Sequence, residues 1–229
     1  MTKSKIINIK AGQRQQIKLI HFNQTDLFFN LGRAAKLELL TESVDLMVRK
    51  LSFVLQADSF VNFVFVNDLS KVTTGFRQYH FQADLLGKNS QLVVDLRHSS
   101  GGDLKVDYFF TVNSWGRGSL TQINSRRLLA GRGSSGFYAK VKINQSAKQA
   151  KAYLADKSLL LGKQAISVME PNLEILNQQA KAYHSAAVSR LSRWEVDYLS
   201  SRGLKKPQVV GLLAKSFLRS PWLSLLKNI

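Results

Sequence analysis

Four histidines are the side chains of this sequence best suited to bind a metal ion or to transfer a proton: His21, His80, His98 and His184. The sequence contains no cysteine, so it offers no thiolate ligand, no cysteine nucleophile and no disulfide. Neither a His-x-x-x-His zinc signature nor a Ser/His/Asp order typical of hydrolases is present. We therefore predict that the chain is not an enzyme and has no self-contained catalytic site.

Two further segments contain residue types that occur in active sites. Glu170 and Glu174 are a pair of nearby carboxylates, which can do acid–base work, but their spacing across a strand with one proline between them does not indicate it. The segment Gly131–Gly136 is glycine-rich, yet it lacks the Gly-Lys-Ser/Thr ending of a phosphate-binding loop. We interpret the carboxylates as structural and the glycine-rich segment as a turn.

The balance of charge is strongly basic. The 229 residues include 33 Lys and Arg against 15 Asp and Glu, which gives a formal net charge of +18. Such an excess favours an anionic partner, and it is equally typical of a solvated basic surface. The basic residues are spread along the chain, and the tightest groups are short, such as Arg126-Arg127 and Lys205-Lys206. Both interpretations stay open.

Short apolar segments with a spacing of two residues recur along most of the chain. Near the start they follow one another about every ten residues, as Ile7 and Ile9, Ile17 and Leu19, Leu27 and Phe29, and Leu37 and Leu39. Alternation with a period of two places both side chains on one face of a strand. Further strands are predicted around residues 51–55, 61–65, 92–96, 106–110, 137–143, 159–161 and 173–175.

Many short strands without a long helical pattern before about residue 185 predict an all-β repeat architecture. One form is a β-solenoid with coils of roughly 20 residues, and the other is a sandwich or barrel. The chain has only three prolines and few hairpin dipeptides, which favours the solenoid.

The last part of the chain changes to a helical pattern. Ser192 and Glu195 have capping-box spacing, which predicts a helix that runs to about Ser201 and stops at Gly203. Lys206-Pro207 opens a second helix, since proline suits the first helical turn. Ser220-Pro221 breaks it, and residues 222–229 form a final apolar segment.

These patterns predict two domains, a β domain over residues 1–185 and a small helical domain over residues 186–229. The sequence lacks an apolar stretch of about 18 residues and the apolar core of a signal peptide. We therefore expect a soluble, cytoplasmic protein without a membrane association.

Four motifs in the second half of the chain follow one another in a characteristic order. They are Ser158-Leu159-Leu160-Leu161, Pro171-Asn172-Leu173-Glu174-Ile175, Lys181-Ala182-Tyr183-His184-Ser185-Ala186-Ala187 and Tyr198-Leu199-Ser200-Ser201-Arg202-Gly203-Leu204. In order and spacing this segment resembles the C-terminal part of the SufB/SufD family. The resemblance is clear from Lys157 to Phe217, weaker from Arg127 to Ala155, and limited to strand rhythm before residue 120.

The resemblance implies a right-handed parallel β-helix followed by a helical C-terminal domain. Family members pair with each other, bind the SufC ATPase through the helical domain, and act as a scaffold on which an iron–sulfur cluster is built. His184 stands at the histidine position typical of SufD members, whereas Ala182 replaces the SufB cysteine and Ser185 replaces a glycine.

The resemblance thus predicts a non-catalytic, SufD-like scaffold subunit that pairs with a SufB-like chain or with itself. A cluster would be held only transiently, with a partner chain, and His184 is the candidate ligand at that interface. The other interpretation of His184 is a local hydrogen bond at the junction between strand and helix. The candidate residues for binding a SufC-type ATPase are Tyr198, Arg202, Gly203, Lys205 and Lys206.

Two alternatives remain open at this stage. One is a basic nucleic-acid-binding β protein, in which Arg126, Arg127, Lys205 and Lys206 contact phosphates. The sequence contains no nucleic-acid-binding motif, so we expect this partner less. The other is a diverged structural relative that keeps the fold without the cluster chemistry.

Overall fold

Successive strands of the chain alternate between two parallel sheets. A computed structural model describes residues 4–19, 26–43 and 50–219, and within them the backbone forms fourteen strands and two helices. The odd-numbered strands follow one another in one seven-stranded sheet, and the even-numbered strands do so in the other. Each coil thus adds one strand to each sheet, and the predicted parallel β-solenoid is confirmed.

The first sheet contains β1 (Ser4–Ile9), β3 (Asp26–Leu31), β5 (Lys50–Leu55), β7 (Thr74–Leu85), β9 (Asp103–Ser114), β11 (Ser134–Ile143) and β13 (Ile166–Ile175). The second sheet contains β2 (Arg14–Leu19), β4 (Lys36–Ser43), β6 (Phe60–Leu69), β8 (Gln91–Ser100), β10 (Leu120–Leu129), β12 (Lys151–Leu160) and β14 (Lys181–Arg190). Every pair of neighbouring strands in either sheet is parallel.

The coils lengthen along the chain. Asn8 and Asn30, which face each other on adjacent coils, are 22 residues apart. Further on, the corresponding partners Asp84 and Asn113 are 29 residues apart. The expected coil of roughly 20 residues therefore fits the first coils and is wrong for the later ones. Strands of 10 to 12 residues replace strands of six there, so each circuit requires more chain.

Apolar side chains that alternate along each strand fill the interior between the two sheets. Aromatic rings stack from coil to coil, as between Phe81 and Phe110, whose ring centroids are 4.5 Å apart. Tyr79 and Tyr108 stack in the same way at 5.4 Å. Parallel strands in register place identical side-chain directions above one another, so an aromatic residue repeated once per coil forms a continuous stack.

A charged pair lies inside this apolar interior. Arg127 on β10 is fully buried and donates through Nη2 to the Asp156 carboxylate on β12 at 2.5 Å. It also donates to the carbonyl oxygens of Ser135 and Val168 on the opposite sheet. The nucleic-acid alternative placed Arg127 on the surface as a phosphate contact, and that assignment is wrong because the solenoid encloses its guanidinium.

The two predicted C-terminal helices are present. Helix α1 spans Arg193–Ser201 with the Ser192–Glu195 capping box formed in both directions, and Gly203 follows it with φ +90°. Helix α2 spans Lys206–Leu218 with a proline in its first turn. The predicted apolar segment 222–229 and the break at residues 220–221 lie outside the described residues.

Strand β14 continues to Arg190, so the last strand extends past the predicted domain boundary at residue 185 before the first helix begins. In the described part of the chain, neither helix has the length and apolar character needed to cross a membrane.

Candidate functional site

His184 lies on the last coil of the solenoid. It is paired in register with Leu154 on β12, whose side chain is buried in the core. Because parallel strands in register share side-chain directions, His184 occupies the equivalent inward-facing position on β14. Within the described residues no further strand follows on this side, so the imidazole is exposed rather than enclosed.

The imidazole lines a shallow cavity at this open end. The cavity has a volume of about 660 Å³, and its lining is formed by β13 and β14 through Met169, Glu170, Pro171, Asn172, His184 and Ala186. The His184 side chain has no hydrogen-bond partner among the described residues. The local hydrogen bond that the other interpretation requires is therefore not formed with them.

The end coil leaves positions uncovered whose counterparts are buried in the coil directly beneath it. Val188 follows the buried Ser158 in register, and Ile175 follows the buried Ile143. Val188 is nevertheless 51% exposed, and Ile175 is exposed as well. Among the strands that the structure describes, β13 and β14 are each paired on one side only, so their other edges present unpaired backbone donors and acceptors. This surface therefore exposes apolar side chains of the kind that fill the core, together with the backbone groups of a sheet edge.

A metal ion would need ligands beyond those that this end supplies. Among the described residues, no group of three or more His, Asp or Glu side chains lies close enough to hold one. His184 contributes one imidazole and Glu170 one carboxylate to the cavity lining. Neutral imidazole is a common ligand of iron and zinc. A complete ligand set at this site therefore requires residues of another molecule.

The other histidines have different surroundings. His98 faces the interior, with Nδ1 3.0 Å from the Tyr108 hydroxyl, and burial lowers its pKa to about 3. It is therefore neutral in the folded protein. His80 lies on the outer face and stacks on Phe109 at 4.8 Å, and its pKa is lowered by partial burial and by Lys50. His21 lies outside the described residues.

The candidate partner-binding residues gather on the C-terminal helices. Tyr198 stacks on Trp194 with ring centroids 5.5 Å apart, and the Arg202 guanidinium lies 5.5 Å from the centroid of the Tyr198 ring. Trp194 is 72% exposed, and no residue of α1 is buried. An exposed tryptophan, tyrosine and arginine in one row is the composition found at interface hot spots. Trp194 was missed in the sequence, although its spacing of four residues from Tyr198 was the available signal.

The remaining predicted residues lie at the turn between the helices. Gly203 takes the left-handed conformation that ends α1, and Lys205 and Lys206 begin α2. All three are exposed. The structure thus brings Tyr198, Arg202 and these residues onto one helical unit, whereas His184 belongs to the separate surface formed by the end coil.

Helix α2 is held against the outer face of the second sheet. Arg126 on β10 donates through Nη1 to the carbonyl oxygen of Phe217 at 2.7 Å. Its guanidinium also lies 5.8 Å from the centroid of the Phe217 ring. The nucleic-acid alternative also assigned Arg126 as a phosphate contact. In the structure this side chain instead contacts Phe217 of the same chain.

Comparison with known proteins assigns the chain to a family over a range that includes the end coil. The model of the SUF-system iron–sulfur cluster assembly family, SufBD core domain, matches residues 44–217. That range covers most of both sheets and both helices. The chain belongs to the SufBD family.

Individual relatives agree with this assignment. The chain is 26% identical over 102 residues to an iron–sulfur cluster assembly SufBD family protein, ycf24, of Galdieria sulphuraria, covering 44% of this chain and 46% of that protein. It is 28% identical over 132 residues to a SufBD family protein of Methanothermobacter thermautotrophicus, covering 58% and 32%. It is 31% identical over 101 residues to the chloroplastic protein ABCI7 of Arabidopsis thaliana, covering 44% and 21%. The alignments thus span less than half the length of these relatives.

Proposed function

We propose that this chain is a non-catalytic, SufD-like scaffold subunit of an iron–sulfur cluster assembly complex. The observation that carries the proposal is the open end of the solenoid, where no coil of the described residues lies above inward-facing positions such as Val188 and His184. Membership of the SufBD family supports it, because relatives of this chain are named for iron–sulfur cluster assembly.

The open end is the pairing surface in this proposal. A second solenoid that docks here would pair with the free edges of β13 and β14 and cover the exposed apolar side chains. The partner is a SufB-like chain or a second copy of this one. Burial of the edge satisfies backbone donors and acceptors that otherwise depend on water.

His184 gives this interface its chemical role. A cluster is cargo that passes through the complex, and the imidazole supplies one ligand while the partner supplies the others. The absence of cysteine supports this division, because no thiolate ligand comes from this chain. The cluster is therefore held only while the two chains are paired.

The C-terminal helices are the docking site for a SufC-type ATPase in this proposal. Trp194, Tyr198 and Arg202 present an exposed aromatic and cationic row, with Lys205 and Lys206 beside it. The contact between Arg126 and Phe217 connects this unit to the solenoid, so movement of a bound ATPase would be transmitted to the sheet.

Anaerobic reconstitution tests the ligand role. The chain is combined with a SufB-like protein and a SufC-type ATPase, and iron bound per complex is measured for wild type, His184→Ala and His80→Ala. We expect His184→Ala to lower the iron content with the complex still assembled, and His80→Ala to match wild type. Equal iron content in all three would remove the ligand role of His184.

The same samples test the scaffold role by co-purification. Failure of the wild-type chain to form a complex with either protein, together with undiminished iron delivery in its absence, would favour the diverged structural relative instead. The nucleic-acid alternative predicts an affinity that falls steeply with salt. The burial of Arg127 and the engagement of Arg126 count against it.

A further inference from the structure

Three cationic side chains lie side by side on the outer face of the second sheet. Arg97 on β8 is directly opposite Arg126 on β10, and Arg126 is directly opposite Lys157 on β12. Neighbouring strands of a sheet are about 4.8 Å apart. Like charges in such cross-strand pairs destabilise a sheet unless something neutralises them. This row therefore requires negative charge close by.

Desolvation of the charged group costs most at Arg97 in this row, because that side chain is only 5% exposed. Its Nη2 contacts the Asp95 carboxylate at 2.5 Å, and its Nη1 donates to the carbonyl oxygen of Leu96. Its Nε is buried without a hydrogen-bond partner. A guanidinium that is nearly enclosed, faces a second guanidinium and keeps an unsatisfied donor lacks part of its anionic environment.

Side chains at the end of helix α2 add further positive charge. A groove of about 320 Å³ runs between the end of α2 and strands β6 and β8, and we call it the helix–sheet groove. Its lining is Val66, Asn67, Asp68, Arg97, His98, Ser99, Lys215, Leu218 and Arg219. Two more cations, Lys215 and Arg219, thus converge on the groove that Arg97 lines.

The negative charge in the described lining is already engaged. Asp68 accepts hydrogen bonds from the Ser99 hydroxyl and the Ser70 amide. Although burial opposes its ionisation, these hydrogen bonds hold its pKa below the ordinary value. The end of α2 supplies about half a negative charge, and Arg126 uses a carbonyl there. Arg97, Arg126, Lys215 and Arg219 therefore outweigh Asp68 and Asp95.

We propose that the helix–sheet groove binds a small phosphate-class oxyanion. Guanidinium and ammonium groups converge on it, the cavity volume lies at the lower end of the roughly 300–1,000 Å³ typical of small-molecule sites, and Arg97 is held rigidly at its base. Inorganic phosphate and the phosphate group of a small monoester share this chemistry. The site is independent of the open end of the solenoid and of the partner proteins.

Calorimetric titration of the full chain with inorganic phosphate, at matched ionic strength, tests the site. We expect saturable binding by wild type, and binding about tenfold weaker or worse in Lys215→Gln/Arg219→Gln, since each substitution removes a charge-assisted hydrogen bond. The matched control is Lys205→Gln/Lys206→Gln, which removes the same charge from the other end of α2 and should bind phosphate as wild type does. Circular dichroism checks that α2 stays folded in both variants.

Three results would overturn the proposal. The first is the absence of saturable phosphate binding by the wild-type chain. The second is an equal loss of affinity in the two double variants, which would show unspecific attraction to net charge. Titration with adenosine monophosphate then separates the sources: tighter binding than inorganic phosphate identifies an esterified phosphate, and weaker binding identifies the free ion. A single-stranded oligonucleotide that binds more tightly than either, and loses affinity equally in both variants, would also count against a small-anion site.

Discussion

Arg127 is the residue that most constrains the interior of the solenoid. Its guanidinium connects three strands in two sheets, because it pairs with Asp156 and donates to the Ser135 and Val168 carbonyl oxygens. A buried ion pair adds little net stability over apolar residues of the same size, but removal of one partner leaves an uncompensated buried charge. The contribution of this ion pair to stability is therefore best measured by removing one of its two charged side chains.

We predict that Asp156→Ala lowers the free energy of unfolding by about 3 kcal/mol or more, because Arg127 would remain buried without its carboxylate. Urea unfolding followed by circular dichroism measures the change. The matched control is Asp103→Ala, since Arg132 and Asp103 form an equally short pair at the surface. Exposed pairs contribute little, so this variant should unfold close to wild type. Equal effects of the two substitutions would show that burial does not decide the outcome.

His98 makes stability depend on pH. Its pKa falls from 6.5 to about 3 on folding because the interior disfavours the charged imidazole. Below pH 6.5 the unfolded chain therefore binds a proton that the folded chain does not, and stability decreases as the pH falls. Above pH 6.5 both states are neutral at this residue, so the effect disappears there.

The slope contributed by His98 approaches about 1.4 kcal/mol per pH unit below pH 6.5. We predict that the wild-type chain loses stability between pH 7 and pH 5 and that His98→Gln shows a clearly flatter dependence over the same range. Urea unfolding at several pH values measures both curves. Parallel curves for the two proteins would contradict the assignment of this dependence to His98. His80→Gln is the comparison: the pKa of that imidazole is also lowered, but it lies partly exposed on the outer face, so its removal should flatten the curve less.

At the scale of elements, the contact between Arg126 and Phe217 decides how firmly the helical unit is attached. It combines a hydrogen bond from a charged donor with a guanidinium that packs on an aromatic ring. Hydrogen bonds from charged groups contribute about 1.5–3 kcal/mol. A change at Arg126 should therefore affect α2 and leave the solenoid intact.

We predict that Arg126→Ala raises the hydrogen-exchange rate of amides in Lys206–Leu218 by about tenfold or more, because α2 then detaches more often. Exchange in the strands of the solenoid should stay at wild-type rates. Lys157→Ala is the matched control, since it removes the next cation in the same row, and no hydrogen bond or ion pair joins Lys157 to the described residues of α2. Unchanged exchange in α2 would show that other contacts hold the helix.

Strand prediction from the sequence succeeded for many strands with an apolar inward face, but β7 was missed although its buried side includes Tyr79, Phe81 and Leu85. The segments around Leu27, Phe63 and Val94 were recognised, because apolar residues alternate there. Strand β10 was missed, since its inward face includes Thr121 and Arg127. Arg127 finds its carboxylate partner in Asp156, 29 residues further along the chain, and no local pattern reveals a partner a full coil away.

The sequence indicated His184 as a candidate ligand, which stays a prediction, but it gave no sign that this imidazole is exposed. The motif around it indicated the family, whereas its environment depends on β14 being the last of the described strands in its sheet. The same inward-facing position is closed in the preceding coil, where Leu154 is buried. A sequence shows which residue types repeat along a solenoid. Which coil lies at the end, and which side chains are therefore exposed, depends on how the whole chain stacks. The helices were predicted well, because their capping residues act locally.

At the scale of the whole molecule, the solenoid has one end that resembles an exposed cross-section of its core. The coil before it buries Ser158 and Ile143, whereas the end coil leaves their counterparts Val188 and Ile175 exposed to water. Burial of such side chains contributes about 25 cal/mol per Å² of apolar surface, so covering them favours association. Solvent-exposed sheet edges are normally protected, and here β14 is a ten-residue edge.

We predict that Val188→Asp weakens pairing of this chain with a SufB-like chain, or with itself, by at least about tenfold, because association would bury an unpaired carboxylate beside a sheet edge. Analytical ultracentrifugation of the chain alone and of the mixture measures the affinity. Ile6→Asp is the control: it places the same charge at an exposed apolar position on β1, the first strand of the other sheet, and should pair as wild type does. If Val188→Asp pairs as tightly as wild type while Ile6→Asp does not, the opposite end of the solenoid is the pairing surface. Because Val188 lies on the same inward-facing side of β14 as His184, that outcome would also separate the imidazole from any interface at which a cluster could be shared.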